Sequence, residues 1–80
     1  MEGELRINAR GLSVPGPRLM VQSALEKGHP LVVRVVVSND EGARDVSGFL
    51  TEAGASVEID QVGAEYHVIA QFTRGQPATG

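Results

Sequence analysis

The sequence predicts a two-layer α/β sandwich of the α+β kind, in which a four-stranded mixed sheet carries two helices on one face. Its 80 residues are the length of a single small domain. Apolar residues recur with the period of strands, or run together, in four stretches, and they recur with the period of helices in two. These stretches follow one another in the order β-α-β-α-β-β.

The first and second strands are predicted to be parallel neighbours. In the first, Leu5, Ile7 and Ala9 alternate with polar residues, as in a half-buried strand. The second, residues 31–37, is apolar except for Arg34 and rich in valine, which is typical of a central strand. Because a helix joins the two, we expect a right-handed crossover.

The connecting helix is predicted to begin in a proline-rich turn. Pro15 and Pro17 lack N–H groups, which costs nothing in the first turn of a helix. Ser13 or Val14 would then be the N-cap, and serine is the better capping residue. The helix should run to about Lys27 and stop at the Gly-His-Pro sequence that follows. Its buried face is predicted to consist of Met20, Val21, Ala24 and Leu25.

The second helix is predicted from a capping-box pattern, Ser38 followed three residues later by Glu41. Gly54 is expected to end it in the left-handed conformation. Its apolar residues at helical spacing are Ala43, Val46, Phe49, Leu50 and Ala53.

The last two strands are predicted to form a hairpin. Residues 55–60 and 66–72 alternate in polarity, and between them Gly63-Ala64 suits a type II′ turn. Toward the helices, the sheet should present Leu5, Ile7, Leu31, Val33, Val35, Val57, Ile59, Tyr66, Val68 and Phe72. The other face should carry Arg6, Asn8, Val32, Arg34, Val36, Glu58, Asp60, His67, Ile69 and Gln71. On that face we expect Arg34 to pair with Glu58 or Asp60.

The composition argues against several classes of function. The net charge is −3, with one tyrosine, two phenylalanines and no basic stripe, so we expect no direct nucleic-acid partner. No apolar run approaches the ~20 residues of a membrane span, so we expect no membrane partner and a cytoplasmic protein. The sequence contains no cysteine, and its two histidines are far apart, so we predict neither a metal site nor a cofactor.

The segment from Ile7 to Pro17, INARGLSVPGP, resembles the signature of the TusA-like sulfur carriers, the small SirA/YedF family. Their pattern is a strand, Asp-x-x-Gly-Leu-x, and then Cys-Pro-x-Pro opening the first helix. The resemblance covers roughly residues 5 to 73, and the stretch from Ser38 to Gly54 is most similar to the YedF branch, which is associated with selenium metabolism. It implies the same fold and a persulfide relay, in which the cysteine takes sulfur from a cysteine desulfurase and passes it to partner proteins. In several members the sulfur goes toward tRNA thiolation.

Two positions depart from that pattern. Val14 stands where the resemblance places the cysteine, and Asn8 stands where it places the aspartate. A helix N-terminus favours a thiolate or persulfide, but valine has no ionisable proton and cannot hold sulfur. The family's chemistry is therefore not implied for this sequence, and we expect no catalytic residue.

Without the cysteine, the resemblance still implies a surface that docks protein partners. We expect these partners to be a cysteine desulfurase or a DsrE-like sulfurtransferase. Its candidate residues are Gly11, Leu12, Ser13, Val14, Pro15, Pro17 and an exposed Leu19. Arg10 and Arg18 flank the helix start and, with its N–H groups, are candidates for holding a small anion. The alternative is that both arginines are simply solvated. Ser13 is interpreted as a cap or an exposed hydroxyl, and not as a nucleophile, because no histidine is expected near it.

Four functional hypotheses follow. The favoured one is a non-catalytic interaction or regulatory module, which competes for or scaffolds the partners of active sulfur or selenium carriers. The others are an active carrier whose cysteine has been changed to Val14, a small-anion binder, and a structural half of a longer chain. Residues 1–74 are expected to form the domain, and residues 75–80 a flexible tail or linker.

Overall fold

A computed structural model of the chain describes residues 4–28 and 30–72. His29 and the expected tail, residues 75–80, lie outside the described residues. The helices and strands are β1 (Glu4–Asn8), α1 (Gly16–Lys27), β2 (Val32–Val37), α2 (Asp40–Glu52), β3 (Ser56–Val62) and β4 (Glu65–Gln71). This is the predicted element order.

The strands form one mixed sheet in the order β1-β2-β4-β3. β1 and β2 are parallel, whereas β4 is antiparallel to both β2 and β3. β2 is therefore a central strand, as its run of valines predicts. Both helices pack against β2, and α2 also covers β3 and β4. The two-layer α+β sandwich is thus confirmed.

The core is built from small aliphatic side chains. From the sheet, Ile7, Ala9, Val33, Val35, Val37, Ala55, Val68 and Ala70 are buried. The helices add Val21 from α1, and Ala43, Val46 and Leu50 from α2. Leu5, Ala24, Leu25, Phe49, Val57, Tyr66 and Phe72 pack around this cluster and are half-buried. Because aromatic residues are only 4% of the chain, close packing of valines supplies most of the apolar burial.

Three apolar residues predicted to be inside are more exposed than expected. Met20 is 40% exposed, since the inner face of α1 is narrow and centred on Val21. Ile59 is 42% exposed because β3 is an edge strand with no neighbour on one side. Ala53 is exposed because it caps the end of α2 instead of lying within the helix.

The predicted turns carry glycine where the backbone needs a positive φ. Gly63 has φ +62°, and Ala64, like every described non-glycine residue, has a negative φ. This combination fits a type II′ hairpin, because type I′ would need a positive φ at both positions. Gly54 has φ +101° and follows α2 directly, as predicted for a left-handed stop.

Both predicted N-caps are wrong by one or two positions. α1 begins after Pro15, not Ser13 or Val14, and no side chain caps it. α2 begins after Asn39, whose side chain accepts a hydrogen bond from the Gly42 amide at 2.7 Å. The capping box does not form, because the Ser38 hydroxyl instead accepts a hydrogen bond from the Gly11 amide.

The expected partner of Arg34 is also wrong. Its guanidinium binds Glu4 on β1, with an Nε–Oε2 distance of 3.0 Å, and not Glu58 or Asp60. Strand order explains the difference, since β4 lies between β2 and β3. Two strand spacings place Glu58 and Asp60 ~10 Å from the backbone of Arg34, whereas Glu4 lies on the adjacent strand.

Candidate functional site

The segment that joins β1 to α1, residues 8–17, is here called the motif segment. It continues the pairing of β1 for one residue, since the Ala9 amide donates to the Val36 carbonyl at 2.9 Å. The chain then turns at Gly11, whose φ of +80° strains any L side chain. The amide of Gly11 donates to the Ser38 hydroxyl at 2.9 Å, which ties the turn to the loop between β2 and α2.

Asn8 organises the start of this turn. Its side-chain oxygen accepts a hydrogen bond from the Arg10 amide at 3.2 Å, two residues along the chain. This local bond is the one that aspartate or asparagine makes in turns. Asn8 therefore supplies the acceptor that an aspartate would supply in this turn, but without a negative charge.

A forked ion pair connects the motif segment to the sheet. The Arg10 guanidinium donates through Nε and Nη2 to the two carboxylate oxygens of Glu65 on β4, at 2.5 and 3.0 Å. These hydrogen bonds lower the pKa of the Glu65 carboxyl and raise the pKa of Arg10. A forked pair of this kind fixes orientation as well as distance.

The start of α1 is anchored against α2. Pro17 is fully buried, and a Cβ added to Gly42 would lie 3.7 Å from its Cγ. Close by, the Arg18 Nε donates to the Asp45 carboxylate at 3.0 Å. The peptide bond between Val14 and Pro15 is cis. Pro17 thus serves packing and does not reach the exposed surface on which it was expected.

The remaining candidate residues share one exposed region. Leu12 is 39% exposed and Leu19 50%, and both flank Gly16, the first residue of α1. Met20 follows Leu19 in α1 and extends the region. Gly16, Leu19 and Met20 line a shallow groove together with Leu5, Ser23, Ala24 and Lys27. We call the set Gly11, Leu12, Ser13, Val14, Pro15, Leu19 and Met20 the motif surface. Within it, Val14 is half-buried and the glycine, Ser13 and Pro15 are exposed.

Sequence reasoning missed Met20, Ser38, Asp45 and Glu65 as parts of this site. Met20 was placed on the buried arc of α1, although it follows the predicted exposed Leu19 directly. The other three come from elements that are distant along the chain, and no local pattern marks them. Only the fold brings their side chains to the motif segment.

The start of α1 has few groups available to a small anion. The Gly16 amide already donates to the Ser13 carbonyl at 2.7 Å, and Pro17 has no amide hydrogen. The candidate side chains Arg10 and Arg18 already bind Glu65 and Asp45. An anion would have to compete with two carboxylates for these arginines.

The part of the chain that the structure describes offers neither a base for a serine nucleophile nor a group of metal ligands. His67 lies on β4 with its ring nitrogens 3.4 Å from Arg34 and 3.7 Å from Glu65, so it is not a base for Ser13. Within residues 4–28 and 30–72 no three His, Asp or Glu side chains are grouped to hold a metal ion. In the same residues, no helix is long and apolar enough to span a membrane.

Comparison with known proteins identifies the family. A sequence model described as Sulfurtransferase TusA matches residues 5–71. The chain belongs to the TusA family. The crystal structure of a SirA-like protein from Desulfitobacterium hafniense is similar, with a TM-score of 0.74 and 23% identity over 84% of this chain and 95% of that one. Both findings agree with the resemblance seen in the motif and the element order. A comparison with curated protein sequences found no match.

Proposed function

We propose that this TusA-family chain binds proteins of a sulfur relay without carrying sulfur itself. The observation that supports this is Val14, which is half-buried one residue before the N-cap of α1 in a sequence with no cysteine. A persulfide needs a thiolate sulfur to form on. An isopropyl group at this position leaves the chain unable to accept sulfur from a desulfurase.

The motif surface is well suited to docking. Leu12 exposes an apolar side chain against Gly16, and Leu19 and Met20 expose theirs along α1. Such groups gain most from burial against a partner. The backbone that carries them is held by Gly11–Ser38, Arg10–Glu65 and Arg18–Asp45 contacts, which come from three other parts of the fold. A surface fixed in advance loses less conformational entropy when it binds.

The partners that fit this proposal are a cysteine desulfurase or a DsrE-like sulfurtransferase, in the cytoplasm. The chain would occupy the docking site that an active carrier uses, and so limit or organise sulfur transfer. The chain could bind proteins of a selenium relay in the same way. A selenium carrier would also need a chalcogen atom at position 14, which Val14 does not supply. Neither role requires catalysis by this chain.

Binding to a purified cysteine desulfurase tests the docking step. We expect saturable binding in isothermal titration calorimetry, and competition with an active TusA-family carrier. Leu19→Ser should weaken binding about tenfold or more, as loss of an apolar anchor does. Ile59→Ser is the matched control, because Ile59 is similarly exposed but lies on edge strand β3. No binding by the unaltered chain to either a desulfurase or a DsrE-like protein would refute the proposal.

Substitution at position 14 tests the chemistry. We expect Val14→Cys to acquire labelled sulfur from a desulfurase and ³⁵S-cysteine, whereas the unaltered chain and Val14→Ser acquire none. The change removes little volume, so the fold should tolerate it. Val14→Cys that loads sulfur but does not pass it to an acceptor protein agrees with an adaptor. Efficient onward transfer would favour the alternative of an active carrier that has lost its cysteine.

A further inference from the structure

The face of the sheet that points away from the helices, here called the open face, separates its charges by strand. Arg6 on β1 is in register with Arg34 on β2, Arg34 with Ile69 on β4, and Ile69 with Glu58 on β3. One row across the sheet therefore runs from two arginines through an apolar side chain to a carboxylate. In the next row, Asp60 adds a second carboxylate to the β3 side.

The charges on the two sides are not balanced internally. Among residues 4–28 and 30–72, Arg6 and Arg34 share a single carboxylate, Glu4, at 3.2 and 3.0 Å, so one positive charge remains there. The Arg6 side chain is 76% exposed. On the other side, neither Glu58 nor Asp60 forms an ion pair with any residue in 4–28 or 30–72. The open face is thus positive at β1 and negative at β3.

Half-buried apolar side chains lie between these two sides, in the same rows as Arg34 and His67. Val36 on β2 and Ile69 on β4 belong to the central strands and face away from the helices. A face with opposite charges at its two sides is complementary in charge to itself after a half-turn. Isologous dimers require a surface of this kind.

We propose that the open face binds the open face of a second copy of this chain, about a two-fold axis parallel to the strands and midway between β2 and β4. This rotation lays Arg6 over Glu58 of the second copy, and Arg34 over its Ile69. The pairs occur twice, once on each side of the axis. A two-fold axis across the strands would instead lay Arg6 over Arg6 and Glu58 over Glu58, which like charges disfavour.

The proposed dimer is weak. Four strands ~4.8 Å apart and five residues long give each copy a contact area of only about 300–400 Å². Stable interfaces bury about 800 Å² per partner, so charge pairing must set the orientation and much of the affinity. The helices lie on the opposite face of the sheet, so the motif surface stays exposed in both copies. The dimer is therefore independent of the docking proposed above.

Sedimentation velocity over a wide range of protein concentrations tests the dimer. We expect the unaltered chain to shift from monomer to dimer as its concentration rises, and the shift to weaken in high salt. Arg6→Glu or Glu58→Arg alone should weaken dimerisation about tenfold or more, because each sets like charges against one another. An equimolar mixture of these two variants should restore the dimer, because every Arg–Glu contact is then regenerated between unlike copies.

The matched control is Arg44→Glu on α2. Arg44 is 77% exposed and paired with Asp40, much as Arg6 is with Glu4, but it lies on the helix layer. This variant should dimerise like the unaltered chain. A monomer at every concentration overturns the proposal, and so does a mixture of Arg6→Glu and Glu58→Arg that stays monomeric while both variants keep native circular dichroism.

Discussion

The two helices begin in opposite ways. α2 starts at Asn39, whose side chain caps the Gly42 amide, and it carries Asp40 and Glu41 in its first turn. α1 starts at Pro15 with no side-chain cap and no acidic residue in its first turn. A side-chain cap stabilises a helix N-terminus by about 1 kcal/mol. Acidic residues in the first turn stabilise it through their favourable interaction with the positive end of the helix dipole.

The helices also differ in what they bury. α2 places Ala43, Val46 and Leu50 in the core, whereas the fully enclosed residues of α1 are Pro17 and Val21. α1 instead exposes Leu19 and Met20. α2 therefore contributes more to the core that stabilises the sheet. α1 contributes the exposed apolar side chains of the motif surface.

Truncation of a leucine in each helix should give the largest difference in stability between α2 and α1. Leu50→Ala on α2 removes a fully buried side chain and should lower the free energy of unfolding by about 2–5 kcal/mol. Leu19→Ala makes the same chemical change at an exposed position of α1 and should stay within about 0.5 kcal/mol. Urea unfolding of both variants measures the difference. Similar losses in the two would mean that α1 contributes to the core as much as α2 does.

Removal of side-chain oxygens at the two helix starts should have a smaller effect. Asn39→Ala deletes the cap of the Gly42 amide and should cost about 1 kcal/mol. Ser13→Ala is the matched change before α1, and it should be close to neutral because Ser13 caps nothing with its side chain. Thermal unfolding with both variants checks this pair. A Ser13→Ala variant as unstable as Asn39→Ala would show that α1 is capped after all.

The smallest expected effect is the loss of stability at low pH that comes from the Arg10–Glu65 ion pair, which holds the motif segment. Arg10 lowers the folded-state pKa of Glu65 below its unfolded value. The pair therefore contributes stability above the unfolded pKa of about 4.3, and the contribution is lost as pH falls through the lower folded pKa. Glu65→Gln should give a shallower loss of stability between about pH 5 and pH 2 than the unaltered chain.

A double-variant cycle isolates that contribution. Arg10→Met should reduce the acid dependence as Glu65→Gln does, and the double variant should show no further reduction. The Glu4 carboxyl, whose pKa Arg34 lowers, is present in all four proteins and cancels. Additive effects of Arg10→Met and Glu65→Gln on the slope would mean that Arg10 does not lower the pKa of Glu65.

The sequence predicted the elements well because their signals are local. Alternation, helical spacing and the glycines at positions 54 and 63 each depend on a few neighbouring residues, and the strands, helices and glycine turns that they predict are present. Two predictions failed because of residues that are distant along the chain. Ser38 has the pattern of a cap, but the Gly11 amide takes its hydroxyl. Glu58 and Asp60 match Arg34 in charge, but another strand lies between.

The sequence by itself determined the order of strands and helices, the absence of any thiol and the motif by which the family is identified, since these depend on residue type and spacing along the chain. Only the tertiary structure decided which side chains reach the motif segment, that Pro17 is buried while Met20 is exposed, and how charges are arranged across the open face. Those properties arise from the register and order of strands, which join residues as far apart as Arg10 and Glu65 and which no short stretch of sequence encodes.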